Sequence, residues 1–293
     1  MAGFMSSNVS LTIFAYDQPA PLDVEALRKG AFRDAVDPDG LKYGWTGLGE
    51  LLDTENFFLA QCDSRFSGFS WRQDSRKIAQ AVVRLQLKEK IRAEELAGGK
   101  VGGKRKKEMK EAIEANLLAQ AEFIPSLTDC IWDAEKGRLF IASQSENLLE
   151  RILKNFDQII KGQGQFLASE VDMASLFAKI QAEDGAAAGE FSVQPLGSAR
   201  LVSMGLEEKS AVTAENNSEA VSRALNQGMN ISKMGLIATR GEEEITFTLA
   251  DDLKVSKLKL PKPEKGADEE ATFLINADIC AKVDAIIETL TRA

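Results

Sequence analysis

Residues 8–16, NVSLTIFAY, place Val9, Leu11 and Ile13 two apart and then Phe14, among β-branched neighbours, and this two-residue period predicts a strand. Asp23, two residues after Pro21, opens VEALRKGAF as a short helix. Past DPDG and the glycine-punctuated KYGWTGLGE, NFFLAQC (56–62) is apolar enough for a core strand. Phe66, Gly68, Ser70 and Trp71 predict a second strand, paired with the first as a hairpin. From Ser75 the period lengthens: Ile78, Val82 and Leu85 fall at helical spacing, with Leu87 and Ile91 in a second row. The glycines of GGKVGG (98–103) cost about 1 kcal/mol each inside a helix, so they end it. Met109, Ile113, Leu117 and Ala121 recur every four residues and predict a second helix. Together they make a helical hairpin over 77–123, closed by Pro125.

The pattern then returns to strands. Asp129–Trp132, the loop DAEKG and Arg138–Ser143 predict a β-hairpin, and Ser145 caps a helix bearing Leu149, Ile152, Phe156 and Ile159 that ends at Gly162. GQGQ (162–165) is the expected boundary between two α+β halves, 1–76 with 124–162 and 163–293. In the second half the expectations are a helix from Asp172, a flexible loop at GAAAG (185–189) and strands at 191–193 and 199–204. A helix from Ser218 to Gly228 follows, then antiparallel strands at 231–239, 244–250 and 253–260 with Asp251 and Asp252 in the tight turn. PKPEKG (261–266) reads as a loop, Ala271–Ile275 as a strand and Asn276 as the cap of the last helix. The fold class is therefore α+β: antiparallel sheets with packed helices in two halves, plus a projecting basic helical hairpin.

Charge changes this picture most. The 293 residues carry 36 Lys and Arg against 45 Asp and Glu, a net of −9. Residues 84–110 alone hold ten Lys or Arg against four Glu, or +6, so the other 266 residues stand at −15. One concentrated basic segment on an acidic body points to a polyanion. KRKK (104–107) sharpens the point, since four consecutive cations repel one another and phosphate neutralises them. A solvated helix face or a localisation signal has the same composition.

The sequence contains no histidine, which excludes Ser/His/Asp and Cys/His nucleophilic sites, His-bearing zinc sites and histidine general bases. Cys62, Cys130 and Cys280 are far apart, form no CxxC pair and read as reduced thiols of a cytoplasmic protein. No signal-like N-terminus and no run of about 18 apolar residues occurs, so neither secretion nor a membrane span is expected. GGKVGGK lacks the preceding strand and following Ser/Thr of a phosphate loop. A metal-dependent nuclease needs clustered carboxylates, for which Asp129, Asp133 and Glu135, or Asp251 and Asp252 with Lys254, are the candidates. Both sets fall in turns, where Asp is favoured for backbone reasons. Trp132 reads as core, Trp71 on a polar hairpin less so, and Phe123 could serve self-association.

The chain resembles the RdgC family of bacterial recombination-associated proteins. The likeness is carried by GFMSSNVSLTIF, the pair Gly44 and Trp45, KKEMKEAIEANLL, CIWDAEKGRLFIAS, and then SKMGLIA, EITFTLADDLKVSKLKL and ATFLINADICAKVDAIIETL, in order over nearly the whole chain. The resemblance implies a horseshoe-shaped protomer pairing head to head into a ring-shaped homodimer. That ring would encircle double-stranded DNA without reading its sequence and inhibit RecA-mediated strand exchange. The family's tip aromatic falls near Glu122 here, with Phe123 one position on, and AENNS (214–218) stands where the family has a Lys-Lys pair. The expected site is therefore non-catalytic. Phosphates would be neutralised by Lys100, Lys104, Arg105, Lys106, Lys107 and Lys110 on the hairpin and by Lys254, Lys257 and Lys259 on the late strand, with Glu122 and Phe123 at the dimer contact. No cofactor, metal or membrane is expected, and the protein would be nucleoid-associated in the cytoplasm. A metal-dependent exonuclease and a protein-interaction scaffold are the alternatives.

Overall fold

Alternation of apolar and polar residues builds β1 (Asn8–Ala15), which buries Val9, Leu11, Ile13 and Phe14. In the computed structural model, residues 3–203, 211–214, 217–261, 266 and 268–292 are described. After β1 come α1 (Val24–Lys29), β2 (Lys42–Gly47), a 3-10 turn at Phe58–Ala60 and β3 (Phe66–Arg76). The chain continues through α2 (Gln80–Leu96), α3 (Gly103–Gln120), β4 (Phe123–Asp133), β5 (Arg138–Ile141), α4 (Glu146–Ile160) and β6 (Gln165–Phe166). It ends with α5 (Met173–Ala182), β7 (Ala186–Ala188), β8 (Phe191–Val202), β9 (Ala211–Ala214), α6 (Ser218–Asn226), β10 (Asn230–Arg240), β11 (Glu243–Ala250), β12 (Val255–Lys259) and α7 (Glu269–Thr291).

The fold is α+β, with twelve strands in one open antiparallel sheet ordered β2-β3-β4-β5-β1-β12-β11-β10-β8-β7, β6 pairing β1 and β9 pairing β8. β1 joins the early and late strands: Asn8, Val9 and Leu11 pair with β12, whereas Thr12–Ala15 pair with β5. That shared position explains why β1 is buried on both faces where it leaves β12, Thr12 included.

The chain divides into two compact units. One comprises Met1–Ala31, Trp45–Trp71 and Thr128–Ala293, the other Phe32–Gly44 and Arg72–Leu127. In the larger unit Trp45 meets Trp71 edge-on at 4.8 Å and Phe69 at 5.3 Å, and Trp132 lies 5.4 Å from Phe156. Trp132 also donates its indole N–H to the carbonyl of Ala20 at 2.8 Å, which satisfies its one polar atom. The smaller unit contains α2, α3 and the outer ends of β2, β3 and β4.

Several sequence expectations give way to tertiary context. NFFLAQC is not a strand: Asp53 accepts backbone N–H bonds from Glu55, Asn56 and Phe57, closing a turn in which Phe57 adopts φ +48°. β3 instead lies between β2 and β4 in the sheet, so the predicted 56–71 hairpin does not form, and Trp71 is fully buried. β3 runs on to Arg76, delaying α2 to Gln80, and Pro125 sits inside β4 rather than ending the hairpin. GAAAG forms β7, because Ala186–Ala188 find open partners along Phe191–Val193. The strands expected at 191–193 and 199–204 are one strand, β8, with Met204 outside the described residues.

The predicted strand 271–275 belongs to α7, capped by Asp268 rather than Asn276. Asn276 is a buried residue of that helix and donates to the carbonyl of Phe4 at 2.7 Å. An apolar run bounded by polar residues reads alike in a core strand and a core helix, and here burial on most faces favours the helix. Most of the expected loop 261–266 lies outside the described residues, as do Glu215 and Asn216.

Candidate nucleic-acid interface

Glycine shapes the turn between α2 and α3. Gly98 takes φ +85° and donates to Glu95 O at 3.1 Å, and Gly99 donates to Glu94 O at 3.0 Å, closing α2. α3 then starts at Gly103 behind Gly102, whose extended backbone offers its carbonyl to Lys106 N–H at 3.0 Å. The two helices contact each other within the smaller unit, but only Val83 of α2 and Met109 and Ile113 of α3 are buried. Cations consequently surround α3 instead of forming one stripe, and Lys104, Arg105, Lys106, Lys107 and Lys110 are all exposed.

Ion pairs divide these cations into two sets. Arg105 reaches back to Glu94 of α2 at 3.2 Å and sideways to Glu108 at 3.6 Å, Lys107 pairs Glu111 at 3.8 Å, and Lys110 pairs Glu114 at 3.7 Å. Its two carboxylate partners hold the Arg105 guanidinium above its ordinary pKa, hydrogen bonding to Glu94 contributing most. Lys100, Lys104 and Lys106 have no acidic partner among the described residues, nor do Lys88, Lys90 and Arg92 of α2. The last three lie in the same basic segment of the sequence, where no run of consecutive cations singles them out.

The boundary between the two units is also a boundary of charge. The smaller unit holds 15 Lys and Arg against 11 Asp and Glu, or +4, and the larger 21 against 34, or −13. Arg76 and Lys77 add to the basic side from the end of β3, a contribution the sequence hides because it sits in a strand. Phe123 is half-buried beneath cations, with Lys42 Nζ 4.2 Å and the Arg76 guanidinium 4.6 Å from its ring centre. Beside it Glu122 and Ile124 are exposed.

A family model described as "Putative exonuclease, RdgC" matches residues 9–289 of the chain. The chain belongs to the RdgC family. No curated protein sequence matches it. Membership in the RdgC family supports a recombination-associated role involving DNA.

The late-strand cations belong to the larger unit. Pairing of β1 with β12 slips between Val9/Leu11 and Leu258/Val255, so Ser256 and Lys257 together oppose Ser10. This bulge, with Lys257 at φ +53°, explains how Val255 and Leu258 are both buried although three residues apart. Lys257 and Lys259 are exposed, whereas Lys254 is largely covered and pairs Asp252 at 2.8 Å and Glu146 at 3.9 Å. The Asp252 bond raises its pKa and ties up its charge.

Of the carboxylates weighed for nuclease chemistry in an RdgC chain, Asp129, Asp133, Glu135 and Asp252 have structural partners, while Asp251 is exposed in the turn between β11 and β12. Asp129, buried, accepts from Ser70 Oγ–H at 2.7 Å and Phe4 N–H at 3.1 Å, and a side chain at Gly3 would collide with it. Burial pushes its pKa up, against the lowering effect of those bonds. Asp133, fully buried, accepts from Arg65 at 3.0 Å and from Glu135 and Lys136 N–H groups, which closes the β4–β5 turn. Among the described residues no group of three or more His, Cys, Asp or Glu side chains could hold a metal ion, and no helix is long and apolar enough to cross a membrane.

Proposed function

We propose that this RdgC-family protein binds double-stranded DNA non-enzymatically and without sequence preference, closing around it as a ring-shaped homodimer and so inhibiting RecA-mediated recombination. The observation that carries the reading is the segregation of charge: a unit of +4 built around the hairpin in a chain whose other unit stands at −13. The acidic unit repels phosphates and the basic one attracts them, which confines DNA to one surface without any base contact. Lys100, Lys104 and Lys106, together with Lys88, Lys90 and Arg92, would carry the largest share because no carboxylate competes for them. Arg105, Lys107 and Lys110 contribute less, and Lys257 and Lys259, exposed on β12 of the larger unit, would meet phosphate on their own. Asp129 and Asp133 are committed to hydrogen bonds inside the fold, which argues against their holding a metal for strand cleavage. Phe123 is engaged by Lys42 and Arg76, so apolar area for a second copy comes from its exposed chain neighbour Ile124. Within the cell such a protein would sit on the nucleoid.

The test compares linear with covalently closed duplex DNA over a salt series, on protein of measured oligomeric mass. About six neutralised phosphates give a log–log salt slope near −5, the same for unrelated sequences. Encirclement predicts fast loss from linear DNA and slow loss from closed circles. Equal loss from both would remove the ring, and no binding at low salt would remove DNA as the partner, leaving the hairpin as a protein-docking arm.

A further inference from the structure

We infer that the α2–α3 hairpin is an element that orders on binding: its helices are only weakly held in the free protein and are consolidated when a polyanion neutralises the α3 cations. The inference rests on the DNA-binding reading for the identity of the polyanion. Its physical basis is the contrast between this pair and every other described α-helix. α1, α5, α6 and α7 are each capped by a side chain, of Asp23, Asp172, Asn217 and Asp268 respectively, and α4 carries Glu146 in its first turn. α2 and α3 have neither a side-chain cap nor an acidic residue in the first turn. α3 begins instead with Lys104, Arg105 and Lys106, cations at the positive end of the helix dipole, and Lys106 and Lys110 repel each other at i,i+4.

Packing does not compensate. Thirty-five residues of α2 and α3 bury three apolar side chains, whereas the 23 of α7 bury Phe273, Cys280, Val283, Ile286, Ile287 and Leu290 among others. Val82, Leu85, Leu96 and Leu118 of the hairpin are exposed, Leu96 to 80%. An open groove of about 650 Å³ lies between the helices, lined by Lys90, Glu94, Arg105, Glu108 and Met109. Helices of this length are marginal in water unless an apolar face is buried. Phosphates along the α3 cations would remove the repulsion and satisfy the dipole, so binding and ordering reinforce each other.

Hydrogen exchange on the whole protein, read by mass spectrometry with and without a 30-base-pair duplex, tests this, with DNA binding followed in the same samples by fluorescence anisotropy. In free protein, amides of 83–118 should exchange at least ten-fold faster than those of α4, and duplex should slow them at least ten-fold. Gly102→Asp, at a position with open space around a new Cβ, supplies the missing cap. It should slow exchange in free α3 and shrink the further slowing that DNA brings. Hairpin amides as protected as α4 in free protein would overturn the inference, as would DNA binding with unchanged hairpin exchange, which leaves the DNA-binding reading standing. Absence of DNA binding removes both.

Discussion

Asp129 shows how a residue type suited to chemistry can be spent on structure. Its carboxylate links the Phe4 backbone to Ser70, whose oxygen also accepts Gly49 N–H at 2.9 Å. Because burial raises its pKa, the neutral form is the one the fold prefers, so its contribution falls as pH climbs from about 4 through the raised value. Asp129→Asn should therefore destabilise less, relative to the parent, at pH 8 than at pH 5 in urea unfolding. A gap that widens with pH would mean that the ionised carboxylate is the stabilising form. Lys257 makes a different test, since its left-handed φ and its charge are separable. Lys257→Gly should leave stability unchanged or raise it by up to about 1 kcal/mol, while Lys257→Val lowers it by about 1–2 kcal/mol. Thermal unfolding reads the difference, and both variants should lose the same increment of DNA affinity. Sequence placed Lys257 on a basic strand face. It gave no sign of the bulge, because that depends on Ser10 of a strand almost 250 residues away.

On the scale of elements, the hairpin was legible because its signals are local: helical periodicity, four glycines and a charge run. What sequence left open was which cations are free. Pairing with Glu94, 11 residues back across the turn, takes up Arg105, and i,i+4 neighbours take up Lys107 and Lys110. Lys104→Ala and Lys106→Ala should each reduce the magnitude of the salt slope by about one, with a smaller change for Lys110→Ala. Equal effects at all three positions would show that the surface ion pairs do not compete with phosphate, consistent with the small energies of exposed pairs. α7 is the opposite case. Its N-terminal third imitates a strand in sequence, and only the packing of Phe273, Ala277 and Cys280 into the core reveals one continuous helix.

At the scale of the whole molecule, charge and connectivity separate in an instructive way. The acidic unit is assembled from three stretches of chain and the basic one from two, of which 72–127 carries +5 and 32–44 carries −1. The proposed ring makes a prediction of its own: Ile124→Asp should reduce the dimer fraction in sedimentation and shorten retention on closed circular DNA. Affinity for short linear duplex should change little, since phosphate contacts remain. Unaltered oligomeric mass would move the contact away from the end of the hairpin.

By itself the sequence determined the α+β class, the position of the basic hairpin, the family and the exclusion of histidine chemistry, because residue type, local period and glycine placement suffice for these. Tertiary structure alone decided that residues 56–62 close a turn, that 186–188 become a strand, that Asn276 lies inside a helix and that Asp129 and Asp133 serve the fold. The turn at Asp53 and the β7–β8 hairpin use partners only a few residues away, whereas Asn276, Asp129 and Asp133 depend on the Phe4 backbone, Ser70 and Arg65, far off in sequence. Such distant partners leave no trace in local composition.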